Sequence, residues 1–464
     1  NIDAQKTVTF AHTDDTNTDF VTINNIGGND ASQILGDIVS KGTVFLSNPN
    51  GFIFGAGSSV NTGSFLATTS TLFLADDELT LSSTNNASIT IEGQKGGQEA
   101  ATLHANDGGY IALLSRNISN NGAISVDNKG HIILSTLDAG TITLPGLNIG
   151  IDIGDDCGDG CVLMDSSLEL GSASNIAATN GSVILSSKDL SSVLDSVIKT
   201  PTSITAEHLY INASDIEITA DQPLNYSSTS VNNLHLNADD TLTILGEINV
   251  ENVNLYLKAN DTLTLLGDIT GDNLDINLSA NKVIIGTIDS NYILGGGKLN
   301  SINISTQQIK DNETGEFIDG NTLIHNGLKA QESINIDSAI EYQGTVASDL
   351  KFETTSESSS GSITLQQELK DTSVTKNTGL ILVSNKLSLH AVSGFDSVGL
   401  DAANLFLSGD ITAVNSINAQ AANLYLEKNI SLNTQSINLD DTKFASLSGI
   451  EGSPYTLTLD SADA

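Results

Sequence analysis

The sequence predicts an all-β chain wound as a parallel β-solenoid of about 20-residue coils with some side loops. Three observations carry this reading. Short Val/Ile/Leu alternations are separated by Gly, Asn and Asp corners roughly every seven to ten residues, and nothing keeps a helical period. Near-copies of one unit recur at a fixed offset: LHLNADDTLTILGEI at 234–248 returns as LYLKANDTLTLLGDI at 255–269, an offset of 21. Finally, a unit of about 20 residues with two or three strands cannot bury its apolar positions alone and must stack on its neighbours. Leucine-rich repeats share the period, but their fixed Leu and Asn spacing is absent. A propeller would need blades about twice as long and richer in aromatics, which are 4% here.

Composition narrows the function classes. Net charge is −38 and Arg116 is the only arginine, so nucleic acid and anionic lipid are disfavoured as partners and a bidentate phosphate clamp is almost excluded. Charged residues are only 16% against 39% apolar ones spread as short runs, enough to fold. No apolar run reaches the ~18 residues needed to span a bilayer.

From residue 5 to 135 the chain alternates strand and corner, with buried runs at Ile111–Leu114 and Ile132–Leu134, and GTITLPGLNIGIDI at 140–153 reads as their continuation. Cys157 and Cys161 follow in GDDCGDGCVLMD, where a disulfide closing a tight loop is favoured over zinc, which would need two further ligands. Asp152, Asp155, Asp156 and Asp159 surround the pair and are the densest calcium candidate, although they match no EF-hand or nonapeptide spacing and diffuse screening is the blander reading. Otherwise no cofactor is expected. Beyond residue 200 the repeat places Leu255, Leu257, Leu263 and Leu265 inward, with Tyr256, Lys258, Thr262 and Thr264 outward; it returns as AANLFLSGDI at 402–411 and AANLYLEKNI at 421–430, an offset of 19. Irregular loops are expected near 295–327 and 351–377. No nucleophile elbow, Walker loop, HExxH or Cys/His cluster appears, and the Asp-rich corners are explained by turn geometry, so the chain is not expected to be an enzyme.

Residues 42–69 read GTVFLSNPNGFIFGAGSSVNTGSFLATT. Asn48-Pro49-Asn50-Gly51 is a turn on its own chemistry, since Pro fixes φ, Asn bonds its own backbone and Gly accepts positive φ. With VTINNIGGNDASQILG upstream, and GGYIALL at 108–114 and NNGAI at 120–124 downstream, the succession over 5–135 resembles the haemagglutination-activity, or two-partner secretion, domain of filamentous-haemagglutinin-like exoproteins of Gram-negative bacteria.

The resemblance implies a right-handed coil, in keeping with the general hand of parallel crossovers. It implies a secretion domain at 1–200 and continuing β-helix repeats at 201–464. Because the family usually has several strands before the segment matched by 4–10, the secretion domain is expected to be N-terminally incomplete, with its export leader outside this chain. It further implies passage through the periplasm and export by an outer-membrane transporter whose POTRA domains bind the N-terminal domain. Asn48, Pro49, Asn50 and Gly51 match the family's secretion motif, with Asn24 as the upstream match. After export the expected role is an adhesin or biofilm-matrix protein at the cell surface or secreted, with a host-cell or matrix receptor that includes carbohydrate among its candidates. The alternative is a self-associating filament subunit, motivated by the strand YTLTL at 455–459, whose open edge invites pairing. A haem-binding or haemolysin-type role ranks behind both, because no ligand histidine or pore segment stands out.

Overall fold

The computed structural model describes residues 1–75, 78–82, 87–136, 139–143, 148–150, 166–187, 203–213, 215–221, 224–227, 230–272, 274–286, 293–294, 299–306, 309–310, 317–318, 320–344, 349–356, 360–373, 378–439 and 455–461. Among these, every regular element is a β-strand. The chain forms two compact units, one of residues 1–216 with 228–239, the other of 217–227 with 240–464.

The first unit is a parallel β-helix with three faces. One face stacks Thr7–Phe10, Asp37–Ser40, Ser59–Thr62, Thr102–Ala105 and Ala123–Val126, and the next stacks Val21–Asn25, Thr43–Ser47, Ser64–Thr68, Tyr110–Leu114 and His131–Ser135. The long strands Asn175–Ser186 and Ser203–Ala213 continue both faces. The third face stacks Ser32–Ile34, Phe52–Phe54, Ser88–Ile91, Asn117–Asn120 and Ser167–Leu170. Register places like on like: Val44, Phe65, Ile111, Ile132, Val183, Leu209 and Leu234 form one inward column, all at most 1% exposed. Such columns are the core. Each parallel strand buries its inner side chains against the level above and below, and no coil is stable without its neighbours.

The second face is buried on its outer side as well. Phe45, Leu66, Ala112 and Ile133 line up in an outward column that packs with Leu72, Tyr110 and Leu114. Leu72 belongs to Thr71–Ala75, the first strand of an excursion in which Thr71–Ala75, Glu78–Ser82, Ala139–Thr143 and Asn148–Gly150 form an antiparallel sheet. Residues 139–143 and 148–150, expected to continue the coil, are thus part of this sheet. Apolar alternation is the same in parallel and antiparallel strands, so the sequence pattern alone does not separate the two.

The second unit repeats the parallel coil. Leu255, Ile276, Ile302, Ile334, Ile363 and Leu387 stack in one buried column. Leu255, Leu257, Leu263 and Leu265 point inward as expected, while Tyr256, Thr262 and Thr264 are half-buried and Lys258 is exposed. The repeat offset is also the pairing register: Leu242 pairs with Leu263, 21 residues on, and Ala402 with Ala421, 19 residues on. Within the stretches expected to be irregular, Ser301–Thr306, Asn321–Ile324, Leu350–Thr354 and Ser362–Asp371 are regular coil strands. Between the first two of these, Ile309–Lys310 pairs antiparallel with Phe317–Ile318.

Candidate secretion motif

Asn48, Pro49, Asn50 and Gly51 form the corner between Thr43–Ser47 on the second face and Phe52–Phe54 on the third. The Gly51 amide donates to the Asn48 carbonyl at 2.9 Å, closing a four-residue turn with Pro at its second position. Gly51 has φ +102°, and a Cβ there would stand 2.5 Å from the Ser88 carbonyl of the next coil, so only glycine fits without strain.

Asn48 is fully buried and organises three levels of the stack. Its Oδ1 accepts the Asn50 amide at 3.0 Å, and its Nδ2 donates to the Asp30 carbonyl at 3.1 Å and to Ser32 Oγ at 2.8 Å in the preceding coil. Its own amide donates to the Thr68 carbonyl of the following coil at 3.0 Å. Asn50 is exposed, yet its Nδ2 reaches the Gly28 carbonyl at 2.7 Å. A side chain with a donor on one end and an acceptor on the other suits such a corner, because its own buried amide must find both a donor and an acceptor partner. Asn120 makes a related pair of bonds two levels on, at the corner that follows the third face, accepting the Gly122 amide at 3.0 Å and donating to Ser174 Oγ of the following coil at 2.6 Å. The buried amide corner is therefore a repeated device of this coil, and the Asn48 corner is the one that ties in the segment 28–32.

Asn24 lies apart from this network. It sits in Val21–Asn25, paired with Leu46, with its side chain exposed. Cys157 and Cys161, expected to form a disulfide, and Asp152, Asp155, Asp156 and Asp159, weighed for calcium, lie outside the described residues.

A cluster that sequence reasoning missed sits on the outer side of the second face. Register continues the outward column from Ile133 through Ile184 to Tyr210 and His235. Tyr210 stacks on His235 with ring centres 4.2 Å apart, and His208 Nδ1 lies 3.2 Å from His235 Nε2. Burial, then the neighbouring His208, pushes the His235 imidazole down to about 4. The signal in the sequence is the offset that aligns the two strands, and at 27 residues from His208 to His235, with Ile216–Ile218 and Leu224–Ser227 between them, it departs from the repeat offsets of 21 and 19.

The family profile described as TPS secretion domain matches residues 1–232. Among curated proteins, the chain is similar to the Heme/hemopexin-binding protein of Haemophilus influenzae, with 29% identity over 139 residues, which is 28% of this chain and 15% of that protein's length. Among solved structures, it is similar to the crystal structure of the HMW1 secretion domain from Haemophilus influenzae, at 19% identity and a TM-score of 0.34, covering 82% of this chain and 88% of that one.

Proposed function

The chain belongs to the TPS secretion domain family, and from that premise we propose that it serves, once exported, as a surface or matrix adhesin. As a member of a two-partner system it is a secreted exoprotein whose partner is an outer-membrane transporter. In our reading the transporter's periplasmic POTRA domains engage the N-terminal coils, which hold the buried Asn48 corner. The protein then acts by binding, with no catalytic step.

The observation that supports adhesion is the outer surface of the second unit. Asn277, Asn303 and Asn335 form a ladder, with amide bonds of 3.1 and 2.8 Å from one coil to the next. Asn404 and Asn423 repeat the arrangement at 3.0 Å. On the strands that carry Asn404 and Asn423, a shallow groove of ≈ 510 Å³ combines an apolar wall, with Ile381, Val383 and Leu400, and polar groups at Asp401, Asn418, Gln420 and Asn438. Amides already ordered by one another present donors and acceptors at a fixed spacing, at little entropic cost on binding, which suits a neutral, hydroxyl-rich receptor better than an anionic one.

Purified chain applied to host cells and to immobilised glycans is expected to bind, and Asn418→Ala combined with Gln420→Ala is expected to weaken that binding. Absence of binding, together with end-to-end fibres in light scattering, would favour the filament alternative. Haem or haemopexin binding is the second reading, suggested by the name of a relative of which this chain spans 15%. Haemin titration separates it, since a Soret shift with no cell binding would replace the adhesin.

A further inference from the structure

The histidine pair on the outer side of the first unit is arranged as half of a metal-binding site. We propose that His208 and His235 together bind a first-row divalent cation of borderline softness, Zn²⁺ or Cu²⁺, through Nδ1 of the first and Nε2 of the second, with water completing the coordination.

The geometry carries this. The two nitrogens are 3.2 Å apart, and the rings are 5.3 Å apart with a tilt of 47°. With metal–imidazole distances of about 2.0–2.1 Å, a nitrogen separation of this size corresponds to an N–metal–N angle of roughly 100°, close to tetrahedral. Each ring must turn by about 40° to aim its lone pair at the shared vertex instead of at the other ring. One ring now donates its N–H to the other. On metal binding that proton moves through solvent to the donor's other ring nitrogen, so both imidazoles stay neutral and no net proton is released.

The surroundings favour a cation at the pair. His235 is half-buried at the end of an apolar column and stacked against Tyr210, which fixes its plane. On the neighbouring strand, Ser182 and Ile184 flank His208 and Tyr210 in register, and neither carries a charge. The net charge of −38 adds a general attraction for cations. The same distances argue against a haem iron held between the pair: ligands on opposite faces of a macrocycle stand roughly 4 Å apart, at twice the metal–nitrogen distance, in line through the iron.

Calorimetric titration of the full chain with Zn²⁺, in excess Mg²⁺ and Ca²⁺ to saturate diffuse carboxylate binding, tests the proposal. One ion per chain is expected to bind in the micromolar range. His208→Gln and His235→Gln are each expected to weaken binding by about ten-fold or more, while His131→Gln, an exposed histidine elsewhere, leaves it unchanged. The paramagnetic resonance spectrum of the Cu²⁺-loaded wild-type chain is expected to show coupling to two imidazole nitrogens, a readout independent of how the variants fold. Binding undiminished in both variants, or a Cu²⁺ spectrum with oxygen ligands only, would overturn the assignment.

Discussion

At the residue scale, Asn48 shows why a motif that reads as a turn is more than a turn. Its donor end faces the Asp30 carbonyl and Ser32 Oγ and its acceptor end faces the Asn50 amide, while the Asn48 side chain itself is fully buried. Asn48→Asp keeps the acceptor and the shape but turns the donor into a second acceptor, so it is expected to destabilise the chain by about 1–3 kcal/mol or more in urea unfolding. Asn48→Ala loses the same bonds without placing a charge there. The turn chemistry was legible in the sequence, because Pro and Gly positions follow local rules. The partners at Asp30 and Ser32 were not, because they come from a neighbouring coil 16–18 residues away.

His235 belongs to the same scale. Its folded pKa is lowered to about 4 from 6.5. As pH falls below 6.5 the unfolded chain takes up a proton that the native chain refuses, so this residue's contribution to stability declines through the window down to about 4 and is constant below it. His235→Phe is expected to remove that component: the drop in urea midpoint between about pH 7 and pH 4 should be smaller in the variant than in the wild type. An equal drop in both would show that the ring is not held neutral.

At the scale of elements, stability resides in the columns. Ile302 is fully buried between Ile276 and Ile334. Ile302→Ala is expected to cost about 2–5 kcal/mol in urea unfolding, because the stacked levels on either side limit collapse into the gap. Val414→Ala, at a position 47% exposed, is expected to change stability by less than about 0.5 kcal/mol. The inward leucines and the registers of 21 and 19 were legible because the repeat in the sequence is the repeat in space. The antiparallel excursion was not, because Ala139–Thr143 alternates like any coil strand and its partner, Glu78–Ser82, lies about 60 residues earlier. One column even admits a polar residue: Thr322 sits between Val283 and Ile340, its hydroxyl 2.6 Å from Ser338 Oγ. A pattern of apolar residues alone passes over such a site.

At the scale of the molecule, the family assignment rests on residues 1–232, and the fold explains how such a chain can be exported. Each coil buries its side chains against the next, so structure can accumulate level by level as the chain emerges, without waiting for distant partners. The Asn48 corner links the first levels of that stack, which is why its loss is expected to affect export.

Co-expression of the full chain, carrying an export leader, with and without its partner transporter, and measurement of the chain in the culture supernatant, tests this account most directly. The wild-type chain is predicted to appear only when the transporter is present, with Asn48→Asp falling to background and Asn303→Ala, on the outer ladder, exported normally. Export that is independent of the transporter, or undiminished by Asn48→Asp, would contradict it.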